Sequence, residues 1–293
     1  MKRLAAILLA FSASVVAQTP FDAPLSKDHP VPAQARGNRQ SYSALKQVLD
    51  RKRVTVTDAQ IEELKKHQLE GLWGAMGEYR ETNYVRGFKS TRPGERLVGR
   101  ALTMRFLPSR PDLVEASQTL AEESGRNSRF YIRAGEEASP NDVIVVDLGG
   151  TDGGNFFGDV TALGIKTRGA AGVIIDGGTR DLAELSDDPF AGFPVFARFF
   201  DIHGNTWVGT EWNVPIRVGE VAVVPGDIVV ADEGGILFIP PQLVAKVLET
   251  ANAGLAREDY ERDLIKQKKY RIGDVYPLHP KLQEEFEKSR RDD

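Results

Sequence analysis

The hydrophobic and polar positions change period most sharply between residues 142 and 181, and the other elements read outward from there. Residues 143–146 are an unbroken apolar run that predicts a buried strand, 149–158 form a glycine-rich loop, and 160–168 follow the spacing of an amphipathic helix. A second apolar strand follows at 173–175, and a tight turn at Gly177-Gly178 delivers Thr179, Arg180 and Asp181. Strand, helix and parallel strand make a right-handed crossover. Both polar loops then emerge at one end of the sheet, where open α/β sheets put ligands.

Upstream, helical spacing recurs over 42–52 and 57–76, the second with Thr57 or Asp58 as its cap and Ile61, Leu64, Leu69 and Leu72 on one face. A Pro93-Gly94 turn leads into a strand at 97–107, and 112–124 reads as a helix. Downstream, 193–197 is a short strand and 201–213 a polar loop dotted with aromatics. Strands at 214–218 and 221–224 form a hairpin across Gly219-Glu220, and a turn at Pro225, Gly226 and Asp227 opens the strand 228–231. Residues 241–269 predict a long helix with Leu243, Val247, Leu248, Leu255 and Leu264 facing inward and a solvated charge run over 257–269. A proline-interrupted tail with a short charged helix closes the chain at 270–293. One segment echoes another: 140–150 (PNDVIVVDLGG) and 225–235 (PGDIVVADEGG) each give a turn, a buried strand, an Asp at its end and a glycine pair. Two copies are too few for a solenoid and mark two similarly built strands of a β-rich sandwich.

With 293 residues, 41% of them apolar, the chain can bury one full core, while 16 prolines, 28 glycines and 27% charged residues leave much of it for loops and surface. A formal charge of -4 supplies no global basic field, which argues against a protein built to hold nucleic acid and favours small ligands or protein partners. Lys2 and Arg3, the apolar run 4–16, and Val15 and Ala17 at the -3 and -1 positions read as a secretory leader cleaved after Ala17, with an uncleaved anchor as the alternative. The run is short for a membrane span, and no stable membrane insertion is expected after cleavage. The expected location is periplasmic or secreted. Zero cysteines exclude disulfides, zinc-thiolate sites and thiol nucleophiles. The organisation expected is a leader (1–17), an extended arm and helix (18–56), one main domain (57–269) and a tail (270–293).

Candidate chemistry concentrates on the crossover. Asp159 opens its helix, and Arg180-Asp181 follow the next strand with twenty residues between Asp159 and Arg180. The crossover brings two carboxylates and a guanidinium to one rim, a hard-cation site beside a carboxylate clamp. A divalent metal would sit on Asp181 with Asp159 reached directly or through water, and Arg180 would fork onto an anionic group. Backbone N–H groups from Gly158 to Thr161 add partial positive charge. Taken singly, an Arg-Asp pair is a surface salt bridge and Asp159 a helix-dipole charge; only the joint placement makes a site. His203 is open to reading as a base, a ligand or a hydrogen-bonded loop residue, and Lys166 reads as solvated. The glycine-rich loop carries neither nucleotide-binding pattern.

Five stretches together resemble the RraA-like family: Thr151, Asp152 and Gly153 through Phe157, Gly158 and Asp159; the spacing from Asp159 to Arg180-Asp181; 192–198 (GFPVFAR); 213–216 (NVPI); and 225–235. The likeness covers roughly 58–262. The family includes class II 4-hydroxy-4-methyl-2-oxoglutarate / 4-carboxy-4-hydroxy-2-oxoadipate aldolases and the regulator of ribonuclease E activity. The resemblance implies an α/β fold, a swivelling β/β/α sandwich with N-terminal helices and a long C-terminal helix. For the aldolase branch it also implies homotrimers or hexamers with sites between subunits, and a divalent metal, Mg²⁺ or Mn²⁺, used to cleave a small 2-oxo acid to pyruvate. Carried over by position, Asp181 would hold the metal, Asp159 a metal-bound water and Arg180 the substrate, with the amides of Val160 and Thr161 beside Gly158 cradling the pyruvyl carboxylate. The chain departs where the aldolases place a glutamate early in the C-terminal helix of a neighbouring subunit: the matching residue is Ala256, and Glu258 is the nearest carboxylate on that helix. Three functions follow as expectations: a metal-dependent lyase releasing pyruvate by retro-aldol cleavage, with oxaloacetate decarboxylation as a side activity; a non-catalytic binding or regulatory member; and a metal-dependent enzyme of another class.

Overall fold

The structure, a computed structural model, describes residues 41–150, 154–204 and 206–292. The expected leader, the residues of the arm up to 40, and residues 151–153 of the family-like run lie outside the described residues. The chain divides into two compact units, Met1–Val48 and Leu49–Asp293. The described residues open with helix α1 (Tyr42–Leu49), which gives way to a 3-10 turn at Asp50–Lys52, inside the second unit, where a helix to residue 52 was expected.

The second unit continues with α2 (Asp58–Leu64) and α3 (Leu69–Ala75). Thr57 caps α2 reciprocally: its hydroxyl accepts the Gln60 N–H at 3.2 Å and Gln60 Oε1 accepts the Thr57 N–H at 2.9 Å. One helix was expected over 57–76, and two are present. The Arg96 guanidinium donates to the carbonyls of Lys65 and His67 at the break, satisfying there the groups that a continuous helix would satisfy itself. Both pieces still bury Ile61, Leu64, Leu69 and Leu72 as the spacing required.

There follow the two-residue strands β1 (Tyr84–Val85) and β2 (Lys89–Ser90), the long β3 (Leu97–Pro108), α4 (Pro111–Ser124), α5 (Phe130–Glu137), β4 (Asp142–Asp147), α6 (Asp159–Thr167), β5 (Gly172–Thr179), α7 (Leu182–Ser186) and β6 (Val195–Phe200). The chain continues through β7 (Trp207–Trp212), β8 (Ile216–Val218), β9 (Val221–Val223), β10 (Ile228–Asp232), β11 (Gly235–Ile239), α8 (Val244–Lys266), α9 (Ile272–Val275) and α10 (Pro280–Asp292). Among the described residues, nine strands form one sheet in the order β1-β11-β10-β3-β4-β5-β6-β2, with β7 paired to β3. β3, β4, β5 and β6 run parallel, and the flanking pairings are antiparallel. The expected crossover is therefore present as β4, α6 and β5.

Alternation along the strands sorts the side chains into layers. Ile144, Val146, Val173 and Ile175 point to one face, where they meet Phe130, Ala134, Ala162, Ile165 and Leu185 from α5, α6 and α7. Val143, Val145 and Ile174 point to the other face, closed by the apolar side of the β8-β9 hairpin through Ile216, Val218, Val221 and Val223. On the antiparallel half, Ile228, Val230, Leu237 and Ile239 pack under α2, α3 and the start of α8. The tail forms α9 and α10, whose Val275 and Leu282 pack on Leu264 of α8.

The sequence echo is structural. Asp142 and Asp227 each accept, at 2.8 Å, the N–H three residues upstream (Ser139 and Val224), and Asn141 and Gly226 take positive φ in the two turns. Asp147 and Asp232 each accept the N–H two residues on, at 2.9 and 2.8 Å. The two strands so framed, β4 and β10, flank β3 on either side. The expected loop over 201–213 contains β7, because β3 is 12 residues long and its far half, past an irregularity at Arg105/Phe106, needs its own partner.

Candidate active site

The site is assembled at the carboxyl ends of β4, β5 and β6. After β4 the chain returns to β5 beyond its ordinary ladder: Asn155 bridges Gly178 in parallel, and the Phe156 N–H donates to the Gly178 carbonyl at 3.0 Å. A Cβ on Gly178 would lie 2.5 Å from the Phe199 ring and 2.8 Å from the Gly154 carbonyl, so only glycine lets the loop come this close. The buried rings of Phe156 and Phe157 anchor it in the core. The Thr179 hydroxyl donates to the Phe157 carbonyl at 3.2 Å. Gly158 and α6 then start directly above the end of β5.

Arg180 and Asp181 follow that strand. Asp181 sits in the left-handed region at φ 57°, which an Asp tolerates better than most residues and which aims its carboxylate back at α6. Asp181 Oδ2 accepts the Asp159 N–H at 3.1 Å, and Arg180 Nε lies 3.3 Å from the same oxygen. Gly158 is the point of closest approach: a Cβ there would lie 2.1 Å from Asp181 Oδ2 and 2.6 Å from Arg180 Nε. The two side chains remain partly open to solvent, 47% for Arg180 and 31% for Asp181.

Gly158, the Asp159 N–H and the side chains of Arg180 and Asp181 thus meet, with Val160 and Thr161 following on the first turn of α6. The expected anion cradle is already partly used, since Asp181 takes the Asp159 N–H; the Val160 and Thr161 N–H groups are too early in α6 for intrahelical acceptors. Glu258 lies elsewhere in this chain, on α8, where it is paired with Arg262 at 2.6 Å. Lys166, read as solvated, donates at 2.7 Å to the carbonyls of Pro189 and Ala191 and ties down the segment after α7.

The partly open Asp181 carboxylate suits a hard divalent cation that keeps most of its waters, rather than a cage made wholly of protein ligands. No group of three or more His, Cys, Asp or Glu placed to hold a metal occurs among the described residues. Asp181 and Asp159 are the residues that could hold such an ion.

Two further groups support the site; the first, around Asp176, was not foreseen, and the second includes His203. Asp176 of β5, buried, accepts Arg198 Nε at 2.7 Å and the Gly219 N–H at 2.8 Å, and its carbonyl accepts the Gly150 N–H at 2.9 Å. It fastens the glycine-rich loop and the hairpin to the strand that carries Arg180. Arg198 also stacks over Phe88 at 3.9 Å; the only sequence signal was that Arg198 closes the family-like stretch 192–198. The second group is the segment after β6. Its Asp201 N–H donates to the Thr179 carbonyl at 2.9 Å, and Asp201 Oδ1 accepts both the His203 N–H at 3.0 Å and His203 Nδ1 at 2.5 Å. These bonds, the backbone N–H first and the ring second, hold the Asp201 carboxyl below the usual carboxylate range.

Comparison with known proteins agrees with this architecture. A Halalkalibacterium halodurans protein whose provisional name is 4-hydroxy-4-methyl-2-oxoglutarate aldolase is 34% identical over 158 residues, covering 54% of this chain and 73% of that protein. A 4-hydroxy-4-methyl-2-oxoglutarate aldolase of Thermus thermophilus is 34% identical over 105 residues, 36% of this chain and 63% of the relative's length. In fold, the chain is similar to Streptomyces coelicolor RraAS2, described as an unusual member of the RNase ES inhibitor RraA protein family, with a TM-score of 0.60 at 23% identity over 72% of this chain and 98% of that one. A family model described as Aldolase/RraA, RraA-like, matches residues 48–238, and the chain belongs to the RraA-like family.

Proposed function

We propose that this protein is a carbon-carbon lyase that cleaves a 4-hydroxy-2-oxo acid to pyruvate by retro-aldol chemistry, with oxaloacetate decarboxylation as a side activity. The aldolase names of its relatives support the reaction type. The observation that carries the reading is the meeting of the Arg180 and Asp181 side chains with Gly158 and the Asp159 N–H at the start of α6.

The geometry supports the following roles. Arg180 offers a planar fork to a carboxylate or to the oxygen on which negative charge grows, and half of its side-chain surface is open. The N–H groups of Val160 and Thr161 at the positive end of α6 receive the substrate carboxylate beside Gly158. Asp181, fixed by the Asp159 N–H, and the Asp159 carboxylate would hold Mg²⁺ or Mn²⁺, Asp159 through water. When bound, the ion would supply Lewis-acid stabilisation of charge developing on the 2-oxo group. We place the protein in an exported compartment, on the leader read at 1–17, and as a homotrimer or hexamer in which Glu258 of a neighbouring subunit could complete the site.

A non-catalytic regulatory role is the second reading, supported by the described fold likeness to an inhibitor-family protein. A lactate-dehydrogenase-coupled assay of pyruvate release from 4-hydroxy-4-methyl-2-oxoglutarate and from oxaloacetate, with Mg²⁺ or Mn²⁺ and with chelator, separates them. Turnover abolished by chelator and restored by metal supports the lyase. Absence of turnover with no metal binding moves the protein to the regulatory reading.

A further inference from the structure

The segment after β6 reaches the same rim as Arg180 and Asp181 but has no part in the roles above. β5 and β6 are adjacent parallel strands, and their last registered pair is Thr179 with Phe200. Arg180 and Asp201 are therefore the first residues past the ladder on neighbouring strands, roughly 5 Å apart in backbone. The Asp201 N–H is tied to the Thr179 carbonyl, and the Asn155 amide donates to the carbonyls of Asp201, at 3.1 Å, and of His203. The His203 segment is thus bonded both to the strand that delivers Arg180 and to the loop that ends at Gly158.

On this segment the imidazole is oriented. Asp201 Oδ1 lies 2.5 Å from Nδ1 and, as a carboxylate, accepts its proton, while the ring is 81% exposed and Nε2 is left as the nitrogen that can exchange a proton. Carboxylate, Nδ1–H and Nε2 are the arrangement of a base whose tautomer has been set by a neighbour.

We infer that His203, oriented by Asp201, is the proton-transfer residue of this site. The inference rests on the lyase reading. In the forward step Nε2 takes the proton from the substrate's 4-hydroxyl as that oxygen forms a carbonyl. The C3–C4 bond breaks, and its electron pair becomes the enolate of pyruvate. The imidazolium then returns the proton to C3, giving the methyl group of pyruvate and neutral His203, so atoms and charge balance with no further reactant. Decarboxylation of oxaloacetate passes through the same enolate but removes no hydroxyl proton. His203 should therefore matter far more to aldol cleavage than to decarboxylation.

The test compares kcat/KM for both substrates in the full-length protein and its His203→Gln, His203→Ala and Asp201→Asn variants, with thermal melts as a fold control. The expected result for His203→Gln is a fall in the ratio of cleavage to decarboxylation by about 10²-fold. Asp201→Asn should fall in the same direction by less. Added imidazole should restore part of the cleavage activity of His203→Ala, a response that a merely structural residue would not give. An unchanged ratio with no imidazole rescue overturns the assignment of His203 while leaving the lyase reading intact. Failure of the unaltered protein to turn over either substrate removes both.

Discussion

Substituting Gly158 by alanine adds one methyl group at the centre of the site. The backbone there, at φ -127° and ψ -170°, is open to alanine, so the effect comes from contact and not from strain. The new Cβ would lie 2.1 Å from Asp181 Oδ2, where carbon and oxygen ordinarily stay about 3.3 Å apart. The carboxylate must retreat by roughly 1 Å, and with it goes the bond to the Asp159 N–H. A hydrogen bond to a charged group contributes about 1.5–3 kcal/mol. Asp181 is 31% exposed and water replaces part of that bond, so the stability cost should be about 1 kcal/mol, or roughly 2–4 °C in Tm. Catalysis is more sensitive to placement than stability is, and a 1 Å error costs about 10²-fold. The assay pairs pyruvate release with a thermal melt of the same preparation. A folded Gly158→Ala protein that keeps kcat/KM within threefold of wild type would refute the idea that this contact assembles the site.

Other consequences are independent of that one. Arg180→Lys keeps the charge but loses the fork, and kcat/KM should fall by about 10–100-fold, mostly through KM, in the same assay. Burial pushes the Asp227 carboxyl from 3.8 up to about 7. The folded chain therefore keeps a proton that the unfolded chain releases near pH 4. The stability linked to it is complete below that pH and is lost as pH rises through 7, to a limit of roughly 4 kcal/mol. Asp227→Asn should flatten this slope in urea unfolding at pH 5 and pH 8; an unaltered slope would show that the carboxyl ionises normally. Thr57→Ala removes one half of the α2 capping box and should lower unfolding free energy by about 1 kcal/mol with activity unchanged, checked by urea melts and steady-state rates.

The crossover at the heart of the fold was legible because its strands are fully buried and read as continuous apolar runs, while glycines mark the turns. The missed elements are those whose sequence does not show what covers them. In α5 the buried face includes Arg133, which stacks over Trp212 at 4.0 Å and bonds Glu137; a charge at a core position hides the helical period. β7 carries aromatics and a glutamate because it pairs with the far half of β3, a partner that local patterning cannot identify. The strands β1 and β2 are two residues each, too short for any period. At the site, the spacing from Asp159 to Arg180 gave the meeting point. The contact itself, a carboxylate clasping the first N–H of α6, depends on the left-handed backbone of Asp181, which sequence alone does not mark. His203 stayed ambiguous for a related reason: its value depends on Asp201 and on β6 ending beside β5, and both are tertiary facts.

The most direct measurement is kcat/KM for pyruvate release from 4-hydroxy-4-methyl-2-oxoglutarate by Asp181→Ala beside the unaltered protein, each with saturating Mg²⁺ and with circular dichroism and melting curves as controls for folding. A loss of about 10³-fold or more in a normally folded variant is the expected result. Activity retained within tenfold would contradict a site built around Asp181.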